Sequence, residues 1–430
     1  LALAVESSAD PGPGGAAAGG LAGLIEDLRE LGLGSSADLD VVSEGFGLEE
    51  RRARWPGEPF PGLVPLNVSQ APIFFGRRAQ TRDLLRRLGD PAGPRLHLVT
   101  GLLGCGKSSL VQAGVRARLA LGGLPSIPAS RDWLVSTLCP SAYTRDPFLA
   151  LTHGLLGEPG VPGLDAPGEA AALKARGADA LADLLGRLLE GRHKDACWVI
   201  VVDRFEELLT LVEPDLAEEM LETLIGGLGL TRLRVLATLC AEELHRCLVH
   251  PALVAQLNQG ALYAIGPPSR SSLERMILGP VTRLNLAAPV TLEPGLVTRL
   301  LDDAERSPAG LMLMADALPE LSARAEPGAS LALEVYRSER LDGQRSLIGR
   351  RAERALTRAG GEHRRALPRL FAHLLEIADD GTATPRRAPL QGLGADPGVA
   401  ALVDALSARD TRLLRVSAGD GPTVELAHDT

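Results

Sequence analysis

The sequence predicts an α/β fold built on a parallel five-stranded sheet, followed by an all-helical stretch and then by helices closed with a small hairpin. Three observations carry this. Between Leu63 and Gly266 five short apolar runs alternate with long helical periods, as expected of strands buried on both faces. From Pro267 to Gly361 apolar residues recur at helical spacing only, broken by Pro and Gly. Leu413–Ala427 holds two short runs around Asp420-Gly421, a hairpin signal.

The expected strands are Leu96–Thr100, Trp133–Leu138, Cys197–Asp203, Leu233–Leu239 and Leu262–Ile265. Long helices are expected at Gly168–Glu190 and Asp215–Leu228 between them. In the next stretch the periodicity predicts helices over Ser271–Leu278, Pro294–Glu305, Leu311–Ala325 and Leu331–Arg358, with Met312 and Met314 as core residues. Helices over Ala366–Ala378 and Val399–Ala408 ahead of the hairpin point to a winged-helix domain. The division is therefore 1–61 as linker or tail, 62–266, 267–361 and 362–430. Within the first of these, Ala9–Gly20 is low-complexity linker and Leu21–Leu31 one amphipathic helix.

Composition narrows the function. A chain of 430 residues has ample material for two to three domains, and 45% hydrophobic with 23% charged residues is globular. A net charge of −9 gives no general attraction to nucleic acid or anionic lipid. No run of about 18 uncharged apolar residues occurs, so no membrane span is expected. The five scattered cysteines contain no C-x-x-C pair and read as thiols of a reducing, cytoplasmic compartment. Leu1 is not an initiator methionine and the chain stops at Thr430, so a fragment with upstream and downstream modules is expected.

The organising stretch is Gly101-Leu-Leu-Gly-Cys-Gly-Lys-Ser108, which fits G-x-x-x-x-G-K-S/T. Glycines let the backbone N–H groups of a tight loop approach phosphate oxygens, and the following helix offers its N-terminus to the same anion. Gly101, Gly104, Gly106, Lys107, Ser108 and Ser109 form the expected phosphate-binding set; Lys107 supplies the cation and the Ser108 hydroxyl a Mg²⁺ ligand. Lysine occurs only three times in the chain (Lys107, Lys174, Lys194), which makes a chance match rare. Trp198–Asp203 is a continuous apolar run ending in a carboxylate, so Asp203 lies at the carboxyl edge of a buried strand and is the second candidate metal ligand. Glu206 and Glu207 follow. Either could orient and deprotonate an attacking water, with Glu206 favoured; either could equally be a first-turn helix acid.

On these motifs the sequence resembles the bacterial novel STAND NTPases, signal-transduction ATPases with numerous domains. The resemblance rests on Pro61–Leu66, Ala71–Arg78, Thr100–Ser109, Leu292–Ala304, Val424–Asp429 and above all Val201-Val-Asp-Arg-Phe-Glu-Glu-Leu208, similar to the family's V-D-Q-F-E-E-L. It implies a P-loop NTPase core followed by the helical and winged-helix domains, binding ATP or ADP with Mg²⁺. It also implies that Phe75, Gly76 and Arg77 lie beside adenine, and that His428 in Ala427-His-Asp429 touches the ADP β-phosphate. The expected function is a nucleotide-controlled signalling switch that rearranges its domains and oligomerises on exchange, with slow hydrolysis. Three positions depart from the family pattern: Cys240 stands where an arginine senses the γ-phosphate, Met312 where a proline meets adenine, and Arg204 where a glutamine follows the acidic residue. A multiple-turnover ATPase or kinase, and a non-catalytic winged-helix module, are the competing readings. The latter lacks a one-sided basic face, since Arg386, Arg387, Arg412 and Arg415 are interspersed with Asp404, Asp410, Asp420 and Asp429.

Overall fold

The computed structural model describes residues 55–430, apart from 121–126, 141–142, 157–160, 162, 285–290, 307–309, 325–329, 339–343, 361–362, 378–382, 386–387, 394–395, 409–412, 418–422 and 427–430. The helix expected at Leu21–Leu31, and His428, lie outside the described residues.

Five parallel strands form the main sheet in the order β2-β3-β4-β1-β5. Helix α1 (Arg78–Gly89) precedes β1 (Leu96–Gly101), and helix α2 starts at Lys107, is π-helical over Leu110–Arg116 and ends at Ala120. Then come β2 (Leu134–Leu138), α3 (Ala166–Arg176), α4 (Ala178–Leu188), β3 (Trp198–Val202), α5 (Phe205–Thr210), α6 (Pro214–Gly227), β4 (Leu233–Cys240) and β5 (Leu262–Ala264). Each expected strand is found within one or two residues.

Alternation explains why these runs read as continuously apolar. Trp198, Ile200 and Val202 enter the core beneath α3, α4 and α6, whereas Val199 and Val201 enter the one beneath α1 and α2. All five residues of β3 are buried. Removing each aliphatic side chain from water contributes about 2 kcal/mol, so the central strands are held mainly by this double coverage.

Two features of this region differ from expectation. The helix predicted at Gly168–Glu190 is two helices, because Gly177 takes φ +53 between α3 and α4. At that angle an L side chain is strained, and glycine ends α3 there. Phe60, placed by the sequence in the linker, is buried in a second core with Leu296, Leu300 and Tyr336.

That second core belongs to α7 (Arg270–Val281), α8 (Pro294–Glu305), α9 (Gly310–Arg324) and α10 (Leu333–Ser338). It is not wholly helical: β6 (Thr291–Leu292) pairs in parallel with β7 (Ser330–Leu331). Glu293 closes this joint, its N–H donating to Leu331 O and its carboxylate accepting from Leu333 N. The single helix expected over Leu331–Arg358 is α10 and α11 (Gln344–Ala359).

The last segment has its own core of Leu356, Leu370, Leu402, Leu406 and Val424. It comprises α12 (Leu367–Leu374), β8 (Leu375–Ile377), β9 (Ala383–Pro385), β10 (Ala388–Pro389), α13 (Pro397–Ser407), β11 (Leu414–Ser417) and β12 (Thr423–Leu426). Strands β11 and β12 form the expected antiparallel hairpin, with β10 on the far side of β12. The helix predicted to Ala378 stops at Leu374, where Leu375 turns to extended backbone and pairs with Pro385. Among the described residues no helix is long and apolar enough to cross a membrane.

Candidate functional site

The strand order decides what meets at the carboxyl edge. β4 lies between β1 and β3, so the loop after β1 and the acid after β3 face each other across the end of β4. Asp203 Oδ1 accepts from Ser108 Oγ at 2.7 Å and from Thr238 Oγ1 at 2.7 Å. The two motifs identified in the sequence therefore close into one site. Thr238, the third member, went unnoticed in the sequence; its signal is a lone hydroxyl two residues before the end of an apolar strand.

The loop itself is a cradle. Gly104 and Gly106 hold φ +74 and φ +92, angles that favour glycine, and Gly106 caps the start of α2. The Lys107 ammonium arches back over the loop to Gly101 O (2.8 Å) and Leu102 O (2.9 Å), with Cys240 Sγ 3.9 Å away. Ser109 also lines the cavity, and its Oγ accepts from Leu66 N at 3.1 Å, tying the leading segment to α2.

Glu206 and Glu207 separate cleanly. Glu206 lines the cavity beside Lys107, and its Oε2 accepts from Cys240 N at 3.3 Å. Burial pushes its pKa up, against the opposing pull of backbone hydrogen bonds and of Lys107. Glu207 points away, ion-paired with Arg204 Nη1 at 2.6 Å and contacted by the Cys139 thiol at 3.5 Å. Sequence could not tell these neighbours apart; the turn of α5 does.

The Phe75-Gly76-Arg77 element makes a joint. Phe75 packs its ring where a side chain on Gly279 would go, and Gly76, at φ +78, lies against Ser272 O and Met276 of α7. Arg77 is 2% exposed, and its Nη2 donates to Cys105 O (2.9 Å) and Gly266 O (3.0 Å). One guanidinium thus joins the phosphate-loop backbone to the chain leaving β5. Phe75 and Arg77 also form part of the cavity wall.

The cavity, about 230 Å³, runs from an apolar end to a charged end. Pro61, Val64, Ile73, Phe75, Met276 and Pro280 line the first; Lys107, Ser108, Arg204 and Glu206 line the second. Helix α9 covers it. Met312 packs so closely on Gly104 that a methyl group there would lie 2.0 Å from its sulfur, and Leu311 lies over Gly106. Cys240 closes the end of β4 as a neutral thiol, its pKa pushed up to about 12 by burial.

These residues fit a magnesium nucleotide. The loop is a backbone cradle that a Cβ would fill, and the convergent donors are hard oxygens of a hydroxyl and a carboxylate. Among the described residues no cluster of three His, Cys, Asp or Glu side chains could hold a metal alone. Mg²⁺ here would be held by Ser108 and Asp203 together with phosphate, as is usual for this ion.

A family model for the novel STAND NTPase 1 group matches residues 59–430. The chain belongs to this family. The novel STAND NTPase matches no curated protein in sequence. Among solved structures it is similar to a Walker-type ATPase of Pyrococcus abyssi, at 15% identity and TM-score 0.44 over 83% of this chain and 94% of that one. It is also similar to the ORC2 protein of Aeropyrum pernix in ADPNP–ADP complexes, at 16% identity and TM-score 0.43 over 82% and 89%. Cdc6p from Pyrobaculum aerophilum is a third, at 14% identity and TM-score 0.40 over 82% and 90%.

Proposed function

We propose that this novel STAND NTPase is an adenine-nucleotide switch. Lys107, Ser108 and the backbone of Gly101, Gly104 and Gly106 take the phosphates, Ser108 and Asp203 take Mg²⁺, and the base enters the apolar end beside Phe75. One observation supports the reading above others: α9 sits directly on the phosphate loop through Met312 and Leu311, so whatever fills the cavity sets the distance between α9 and the loop. A ligand shifts an equilibrium only through contacts that differ between the two states, and this joint offers such a contact.

We further infer the division 62–266, 267–361 and 362–430 as nucleotide-binding, helical and winged-helix domains. α12, α13 and the β10-β12-β11 sheet support the last assignment. ADP holds the closed form, assisted by His428, and exchange for ATP opens it toward a homo-oligomer in the cytoplasm that engages further modules of a longer protein. Bound Mg²⁺ would neutralise phosphate charge as it does in other P-loop sites. Glu206 orients and deprotonates water; hydrolysis is slow, because the neutral Cys240 adds no cation to stabilise transferred charge.

The test is twofold. Nucleotide released on denaturing the purified protein is identified by mass spectrometry, and mass in solution is measured with ADP and with a slowly hydrolysed ATP analogue. Bound adenine nucleotide and a larger assembly with the analogue support the switch; no affinity for either at millimolar Mg²⁺ overturns it. The enzyme reading is favoured by the placement of Glu206 alone, and steady multiple turnover abolished by Glu206→Gln would establish it.

A further inference from the structure

Three cations face the cavity among the described residues: Arg77, Lys107 and Arg204. Arg77 is committed, its guanidinium held by two backbone carbonyls and buried. Lys107 serves the phosphate loop. Arg204 is of a different kind. It follows Asp203 directly, and its backbone N–H donates to Thr238 Oγ1, the same hydroxyl that bonds Asp203, which fixes it within the metal-ligand network. It holds φ +62, a left-handed angle that costs a non-glycine residue about 1 kcal/mol, so the chain bears strain to keep a side chain at this position. Arg204 lines the cavity together with Lys107, Ser108 and Glu206, while its guanidinium is held on Glu207 Oε1, a carboxylate outside the cavity lining.

We propose that Arg204 reads the terminal phosphate of a nucleoside triphosphate, exchanging its bond to Glu207 for one to the γ-phosphate. This rests on the nucleotide reading above and adds to it the group that distinguishes triphosphate from diphosphate. Chemistry favours the exchange. A guanidinium presents five donors in a planar fork, so it can turn toward phosphate while keeping one donor near Glu207. Phosphate competes well with a carboxylate for such a fork, because both accept paired charge-assisted bonds. Cys240, at the end of the neighbouring strand, is neutral and competes for nothing. A diphosphate ends short of this position and leaves the Arg204–Glu207 pair intact. The pair is thereby a spring: Glu207 stores the guanidinium until a γ-phosphate draws it off.

The experiment measures Mg²⁺-dependent affinity of the full chain for ADP and for a non-hydrolysable ATP analogue by calorimetry, with melting temperatures recorded alongside. Arg204→Gln is expected to weaken the analogue roughly tenfold or more while ADP affinity stays within about twofold, the size of one lost charge-assisted bond. Arg204→Lys recovers part of the loss. Glu207→Gln, which loosens the restraint, tightens the analogue severalfold and leaves ADP unchanged. A purely structural Arg204 gives the opposite pattern: equal loss for both nucleotides, or a lower melting temperature with both affinities intact, and either overturns the proposal. Should Arg204→Gln fail to fold, unchanged analogue binding in Arg204→Lys and Glu207→Gln overturns it equally. If the wild-type protein binds neither nucleotide but folds, the nucleotide reading fails and this proposal falls with it; if it binds both and only the Arg204 contrast is missing, the nucleotide reading stands alone.

Discussion

The two edges of the main sheet handle positive charge in opposite ways. At the carboxyl edge Lys107 and Arg204 face a cavity, beside hydroxyls that converge on Asp203. At the amino edge Arg95 donates to Leu230 O, Arg232 to Ala196 O and His193 O, and Arg234 to Leu88 O, Thr231 O and Leu233 O. The amino edge carries as many arginines as the cavity has cations, yet each of these arginines donates to backbone carbonyls. Charge density does not mark a site. What marks it is charge that lines a cavity beside converging hydroxyls and a carboxylate.

The sharpest way to break this contrast is Lys107→Ala. It is expected to cost nucleotide affinity about a hundredfold, some 3 kcal/mol, while the melting temperature without nucleotide barely moves. Equal binding by the variant, measured by calorimetry, would remove the distinction between the two edges.

At the amino edge the largest effect is on stability, and it depends on pH. His97 on β1 is fully buried, and neither ring nitrogen has a hydrogen-bond partner among the described residues. Burial, with Arg234 and Arg87 nearby, lowers its pKa to about 4. The unfolded chain takes up that proton near pH 6.5, so the folded state loses ground as pH falls from 6.5 toward 4 and levels off below. The loss reaches up to roughly 3 kcal/mol, and His97→Leu removes it from a urea series run across that window. Nucleotide affinity, corrected for unfolded protein, should not follow.

Much of this was legible in the sequence, and for identifiable reasons. The strands were visible because burial on both faces gives unbroken apolar runs such as Trp198–Val202, and the phosphate loop because its chemistry allows few residue types. Where backbone geometry chose between equivalent residues, sequence was silent. Glu206 and Glu207 differ by one position on α5, yet one lines the cavity and the other is consumed by Arg204. Met312, expected in the core, is part-buried, lines the cavity and packs on the phosphate loop, a contact that no periodicity encodes. Ser109 lines the cavity with the rest of the phosphate loop, but its hydroxyl bond to Leu66 is a contact the motif does not encode.

Arg234→Met gives an intermediate effect. Its guanidinium is 96% removed from solvent, being only 4% exposed, and its loss leaves carbonyls of Leu88, Thr231 and Leu233 without that donor. A cost of about 2 kcal/mol in chemical denaturation is expected, with unchanged nucleotide binding. The same substitution removes one of the two cations that repel a proton from His97, which raises its folded-state pKa, so the acid loss of stability should still begin near pH 6.5 but be smaller and level off at higher pH. A loss of unchanged size and lower limit would mean that burial alone sets the histidine.

The finest comparison lies within the carboxyl edge, between two buried threonines. Thr238 accepts from Arg204 N and donates to Asp203 Oδ1. Thr100, on β1, is 5% exposed and its hydroxyl has no partner among the described residues. Replacing either by valine keeps the shape, so only the hydroxyl is tested. Thr238→Val leaves a buried N–H unsatisfied and frees a carboxylate lone pair beside the metal ligand; it should cost about 1 kcal/mol of stability and raise the Mg²⁺ concentration needed for half-maximal nucleotide binding. Thr100→Val removes an unpaired buried hydroxyl and should be neutral or slightly stabilising, within about 0.5 kcal/mol, with no change in Mg²⁺ dependence. The two variants sit on the same sheet edge and differ by one methyl-for-hydroxyl exchange each. Equal Mg²⁺ dependence in both would show that the hydroxyl–carboxylate network around Asp203 is scaffolding rather than part of the metal site.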